Sequence, residues 1–193
     1  AAGKFSNDGA AQDSADTCKP CAGGEYQPQA AQTSCIACDE GKTSEEGKPA
    51  CTSCDAGQYQ DETGKAGCEA CDNGQYAAVG AASCIDCEAG KHGVTNKDMC
   101  TSCIAGKWSD STKAVNDATC TACGTGKYSG AVGAVSITTC NSCAAGKFSN
   151  EGTAQDSADT CQPCAGGQYQ PQAAQTSCIE CDEGKKSEEG KPA

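Results

Sequence analysis

The sequence predicts a small disulfide-rich repeat protein: an extended rod of tandem short β-hairpin-like units, mostly turn and coil, with little helix. Three observations carry that expectation. Cysteine supplies 20 of 193 residues, and every one belongs to a Cys-x-x-Cys pair. Large apolar side chains are scarce, with no leucine, five isoleucines, five valines and one methionine. Glycine and aromatic residues then recur at fixed offsets behind each cysteine pair. A chain so poor in large apolar residues cannot fill one core of ordinary size, so cross-links or metal must hold it together.

The cysteine pairs are Cys18/Cys21, Cys35/Cys38, Cys51/Cys54, Cys68/Cys71, Cys84/Cys87, Cys100/Cys103, Cys120/Cys123, Cys140/Cys143, Cys161/Cys164 and Cys178/Cys181. Successive pairs begin 16 to 21 residues apart, which is the signature of a tandem array without linkers. Three residues after the second cysteine comes a glycine: Gly24, Gly41, Gly57, Gly74, Gly90, Gly106, Gly126, Gly146, Gly167 and Gly184, with Gly3 in the same slot at the start. Glycine there predicts a tight turn or a close backbone approach.

Two positions further on stand Phe5, Tyr26, Tyr59, Tyr76, Trp108, Tyr128, Phe148 and Tyr169, which are all eight aromatics of the chain. Each ring is expected to pack against the disulfide of its own repeat and to supply most of the apolar area that the repeat can bury. Thr43, His92 and Lys186 replace the ring in three repeats, which should pack more loosely. "GKYSG" and "GQYQD" read as first strands of short antiparallel pairs, joined by Gly- and Asp-rich turns. "AQDSADTC" and "STKAVNDATC" have room for one helical turn, marginal in isolation.

A longer period overlies the short one. Residues 1–50 match residues 144–193 at 44 of 50 positions, giving a super-repeat of 143 residues. Residues 1–17 are then a partial unit, 18–143 are tandem units forming most of one super-repeat, and 144–193 begin the next. The segment reads as a cut from a longer periodic chain, with a cysteine expected just outside each end.

Cys-x-x-Cys repeated at this spacing admits two structural chemistries. Four thiolates can hold zinc tetrahedrally, or the same residues oxidise to disulfides. The unbroken array and the core-poor composition favour disulfides and an extracellular setting. A catalytic dithiol needs one motif at a helix start beside a packed sheet, which none of the ten motifs has.

The simplest connectivity closes each Gly-x-aromatic loop on itself: Cys21 to Cys35, Cys38 to Cys51, Cys54 to Cys68, Cys71 to Cys84, Cys87 to Cys100, Cys103 to Cys120, Cys123 to Cys140, Cys143 to Cys161 and Cys164 to Cys178. Cys18 and Cys181 are left to pair beyond the segment ends. The alternative crosses neighbouring pairs, as in Cys18 to Cys35 with Cys21 to Cys38, and uses all 20 cysteines internally. It requires two alternating types of repeat, whereas almost every interval carries the same signature.

At "CKPCAGGEY", "CTSCDAGQY", "CTSCIAGKW" and "CTACGTGKY" the chain resembles the cysteine-rich ephrin-receptor-like repeat, related in style to the first submodule of tumour-necrosis-factor-receptor cysteine-rich domains. The resemblance covers essentially the whole chain. It implies an extracellular, disulfide-bonded, extended rod with ladder-like pairing, as in repetitive surface proteins of animals and protists. It does not imply receptor activity.

Charge and motifs exclude several functions. With 26 acidic residues against 14 lysines the formal charge is -12, so nucleic acid and anionic membrane surfaces are poor partners. No apolar run is long enough for a membrane span, so direct membrane insertion of this segment is not expected. The single histidine, His92, sits in the aromatic slot and reads as a packing substitute. No nucleophile–base set or cofactor fingerprint is present and the cysteines read as disulfides, so the sequence predicts no enzyme, no cofactor and no metal. Acidic runs such as "SEEGK" lack the calcium-loop pattern and read as a solvated face. No Asn-x-Ser/Thr acceptor occurs, while Ser14, Thr17, Ser44, Ser109 and Ser157, near the turns, are candidate carriers of O-linked glycans.

Regular spacing suits self-assembly or a coat. The sequence therefore predicts a structural segment of a long extracellular fibre, appendage or cell-surface coat, whose partners are copies of itself or another fibre or coat protein. The alternative is an adhesive or ligand-binding ectodomain using the longer loops between Cys103 and Cys161, which carry Val115, Val132, Val135 and Ile137.

Overall fold

A computed structural model describes residues 1–6 and 18–192. Its regular structure is ten two-stranded sheets in chain order, with three short 3-10 turns among the described residues and no longer helix. The protein is a disulfide-rich array of tandem β-hairpins.

Each hairpin follows from the short sequence period. The first strand is the dipeptide that ends on the aromatic slot, as in Glu25–Tyr26, and the second is the dipeptide inside the next cysteine pair, as in Ile36–Ala37. Their antiparallel register places Tyr26 opposite Ile36, Tyr59 opposite Glu69 and Trp108 opposite Thr121. Ahead of the first strand lies a four-residue turn: the Glu25 amide donates to the Ala22 carbonyl at 3.0 Å, and Gly24 takes φ +86° at the third position. That conformation favours glycine because it lacks Cβ.

The chain divides into two compact bodies, Ala1–Asp86 with Gly93–Cys100, and Cys87–His92 with Thr101–Ala193. Within the first, successive repeats are joined by backbone hydrogen bonds in a fixed pattern. The slot-glycine amides of Gly24, Gly41 and Gly57 donate to the carbonyls of Ser44, Gln60 and Ala77 in the next repeat, each at 2.8 Å. In return Gly47, Gly64 and Gly80 donate their amides to Cys21, Cys38 and Cys54, at 2.8–2.9 Å.

The second body repeats the pattern with longer loops. Gly106 donates to Ser129 at 2.7 Å, Gly133 to Cys103 at 2.8 Å and Ala154 to Cys123 at 3.0 Å. The extra residues form 3-10 turns over Asp117–Thr119, Ile137–Thr139 and Ala158–Thr160, capped by the side chains of Asn116, Ser136 and Ser157. Each turn ends on the cysteine that closes its loop. "STKAVNDATC" therefore contains a helical turn, while "AQDSADTC" at 11–18 lies largely outside the described residues and its copy at 154–161 holds the third such turn.

Candidate functional site

The repeating site is one cross-linked hairpin and its contacts with following repeats. Disulfides join Cys21–Cys35, Cys38–Cys51, Cys54–Cys68, Cys71–Cys84, Cys103–Cys120, Cys123–Cys140, Cys143–Cys161 and Cys164–Cys178, with Cα separations of 5.4–5.8 Å. Cys87 and Cys100 are also disulfide-bonded, while Cys18 and Cys181 have no disulfide partner among the described residues. The second cysteine of a pair is almost wholly buried: Cys21, Cys38, Cys54, Cys71, Cys87, Cys103, Cys123, Cys143 and Cys164 are at most 2 % exposed. The sulfurs are the core.

All eight aromatic rings are half-buried. Each lies on the hairpin surface beside its cross-strand partner, where a pair contributes about 0.2–1 kcal/mol. Phe5, Tyr59, Trp108 and Tyr128 also form parallel bridges to Gln32, Ala81, Ala134 and Gln155 in the next repeat, so the ring-bearing residue joins neighbours as well as packing within its own loop. The Tyr59 hydroxyl lies 3.1 Å from Glu69 Oε2, and that hydrogen bond to a carboxylate holds the phenol pKa above its ordinary value. Where Thr43 replaces the ring, an open cleft of about 400 Å³ is bordered by Thr43, Ser44, Lys48 and Ala66. Another of about 310 Å³ lies at Lys186, bordered by Tyr169 and Ser187.

In seven repeats the residue after the aromatic slot is buried although it is polar: Gln27, Ser44, Gln60, Ser109, Ser129, Ser149 and Gln170. In the short loops its glutamine amide clips the loop closed. Gln60 Nε2 donates to the Gly67 carbonyl at 2.6 Å, just ahead of Cys68, and its Oε1 accepts the Glu62 amide at 3.0 Å. Gln27 and Gln170 make the equivalent bonds to Ser34 and Ser177. Ser44 and Ser109, expected from the sequence as candidate O-glycan carriers, are 3 % and 2 % exposed, and their burial removes them from that role. Gln and Ser at this position resemble the solvated text around them. Its regular recurrence behind the ring was the available signal. Gln60→Ala removes both bonds from a buried site and should cost about 1–3 kcal/mol. Faster amide exchange confined to residues 60–68 would be the measured result.

The slot glycines have a second role. A Cβ built on Gly24, Gly41, Gly90 or Gly106 would stand 2.1–2.2 Å from the carbonyl oxygen of Gly64, Gly80, Gly133 or Ala154. Each of those residues lies two repeats further on. They also share a positive φ, and the same position is held elsewhere by Ala31, Lys97, Lys113 and Ala174. Gly3, Gly57, Gly126 and Gly146 approach a later loop in the same way, whereas a Cβ on Gly133, at the second left-handed position, would meet nothing closer than 3.4 Å. Gly74 has a positive φ of +78° as well.

Residues 3–47, 41–78 and 146–190 match the family described as tyrosine-protein kinase ephrin type A/B receptor-like, which covers more than half of the chain. The chain belongs to the ephrin-receptor-like repeat family. No curated protein matches it as a relative. Ephrin-receptor-like repeats are a non-catalytic module, and this chain is a repetitive, disulfide-stabilised example rather than an enzyme. Among its described residues no group of three or more His, Cys, Asp or Glu side chains could hold a metal ion. No described helix is long and apolar enough to cross a membrane.

Proposed function

We propose that this segment belongs to the ectodomain of a cell-surface protein and makes adhesive or ligand-binding contacts there. The observation that carries the reading is apolar display: on the long loops Val132, Val135 and Ile137 are 68 %, 52 % and 56 % exposed. Aliphatic groups held in water by a cross-linked loop are what a contact surface requires. The family module is typically extracellular, and a dense array of disulfides persists in oxidising surroundings. In this reading Cys18 and Cys181 bond to cysteines of flanking repeats, as their copies Cys161 and Cys38 bond to Cys143 and Cys51.

Beads carrying the oxidised chain should bind a cell surface, and V132S/V135S/I137S should lower that binding about 10-fold, the scale of losing roughly 1.4 kcal/mol of apolar burial. Binding equal to that of bare beads would refute the proposal. A second reading, a structural fibre or coat protein, is favoured by the 44 identities in 50 positions between residues 1–50 and 144–193. Near-identical copies suit a regular lattice better than one unique ligand. Electron micrographs of native material with an axial repeat set by 143 residues would select that reading.

A further inference from the structure

We infer that residues 101–150 are a docking surface for a second copy of this chain, which presents its hairpins at Asp55 and Asp72. The inference names a partner for the adhesive reading and rests on it.

Charge is distributed unevenly. Residues 1–100 hold 16 acidic residues and seven lysines, net -9, and residues 151–193 hold eight and three, net -5. Residues 101–150 hold two acidic residues and four lysines, net +2, with no acidic residue from 118 to 150.

The local cause is one position in the turn before the first strand. In three repeats an acid stands three residues ahead of the turn lysine and pairs with it: Asp39 with Lys42 at 3.9 Å, Glu88 with Lys91 at 3.4 Å and Asp182 with Lys185 at 3.5 Å. In the three long-loop repeats Ile104, Gly124 and Ala144 occupy the acid's place. Among the described residues Lys107, Lys127 and Lys147 accordingly form no ion pair. Two repeats have the reverse arrangement. Asp55 and Asp72 keep the acid, but Gln58 and Gln75 replace the lysine, and both aspartates are exposed. The same turn position therefore bears unpaired cations in one part of the chain and unpaired anions in another.

Exposed aliphatic groups accompany the cations, with Ile104 at 63 % beside Val132, Val135 and Ile137. Apolar area then supplies affinity while the charges set register and favour the acid-rich repeats over like-charged ones. Because the two surfaces differ, the contact is heterologous and extends rather than closing on a pair.

Sedimentation of the oxidised chain tests the proposal. The wild-type chain should associate in low salt and lose affinity as added salt shortens the screening length. K107E/K127E/K147E and D55K/D72K should each weaken self-association about 10-fold or more, the scale of several exposed pairs lost together and replaced by repulsion. Mixing the two variants should restore association, since reversed cations then face reversed anions. Peptide mapping of the disulfides in each variant identifies any loss caused by misfolding, in which case the single reversals K127E and D72K replace them. Wild-type monomer at every salt concentration, or association unaltered by either reversal, overturns the proposal. Cell binding that persists in a monomeric chain overturns this partner and leaves the adhesive reading standing. Lysine-dependent binding to a sulfated glycan without self-association overturns it in favour of a polyanion.

Discussion

Gly106→Ala should destabilise its surroundings far more than Gly133→Ala, although both glycines have left-handed backbone conformations, φ +81° and +69°. The shared cost is placing an L-residue in left-handed space, about 1–2 kcal/mol. Only Gly106 faces a second obstacle, because its Cβ would lie 2.1 Å from the Ala154 carbonyl oxygen, a backbone atom that cannot rotate away. Relieving that overlap should add about 1–3 kcal/mol, the usual scale of overpacking. Native-state exchange of the Ala154 amide, which donates to Cys123, reports the difference directly. Its exchange should accelerate in Gly106→Ala and stay near the wild-type rate in Gly133→Ala, where the added Cβ meets nothing closer than 3.4 Å. Equal effects of the two substitutions on local stability would mean that the approach between second-neighbour repeats contributes nothing.

Replacing both Cys54 and Cys68 with alanine should unfasten one repeat without unfolding the array. The bond closes a loop with a sequence separation of 14, for which chain entropy assigns about 3 kcal/mol. One half-buried ring cannot offset that loss. Hydrogen exchange should therefore rise across residues 54–71, including the pairing of Tyr59 with Glu69. In a linear array each repeat contacts only near neighbours, so damage spreads by one or two loops and then stops. Gly24, whose turn approaches Gly64, lies inside that range, while Cys143–Cys161 lies well outside it. Loss of protection over the whole chain from this one deletion would contradict a repeat-by-repeat origin of stability.

The hairpin array was legible because its determinants are residue types with few alternative uses. Cysteine at a fixed spacing and glycine at one offset, followed by an aromatic, leave little else for the chain to form. Three other features were not legible, for different reasons. The buried Gln60 and Ser129 look like surface residues, and only their hydrogen bonds distinguish them. The second left-handed position is glycine at 47, 64, 80, 133 and 190 but alanine or lysine elsewhere, so residue identity marks only half of its occurrences. The approach of Gly106 to Ala154 involves a backbone carbonyl, which any residue supplies. The rings also lie less deeply than an aromatic in a miniature core would, because each repeat is a single hairpin with no second layer to cover them.

The position of the disulfides fixes the path that a pulling force must take. Successive bonds are separated by only two residues, as Cys21–Cys35 is from Cys38–Cys51 by Ile36 and Ala37. Tension entering at Cys21 crosses the first bond, runs through three peptide links and enters the next, bypassing both loops. At about 3.5 Å per extended residue, each bond withholds roughly 45–65 Å of contour length from the load. The oxidised segment can therefore extend only to the length of that bypass path, whereas a thiol that opens one bond releases the withheld length in a single step. Stiffness under load is thus written into covalent chemistry and can be changed one repeat at a time.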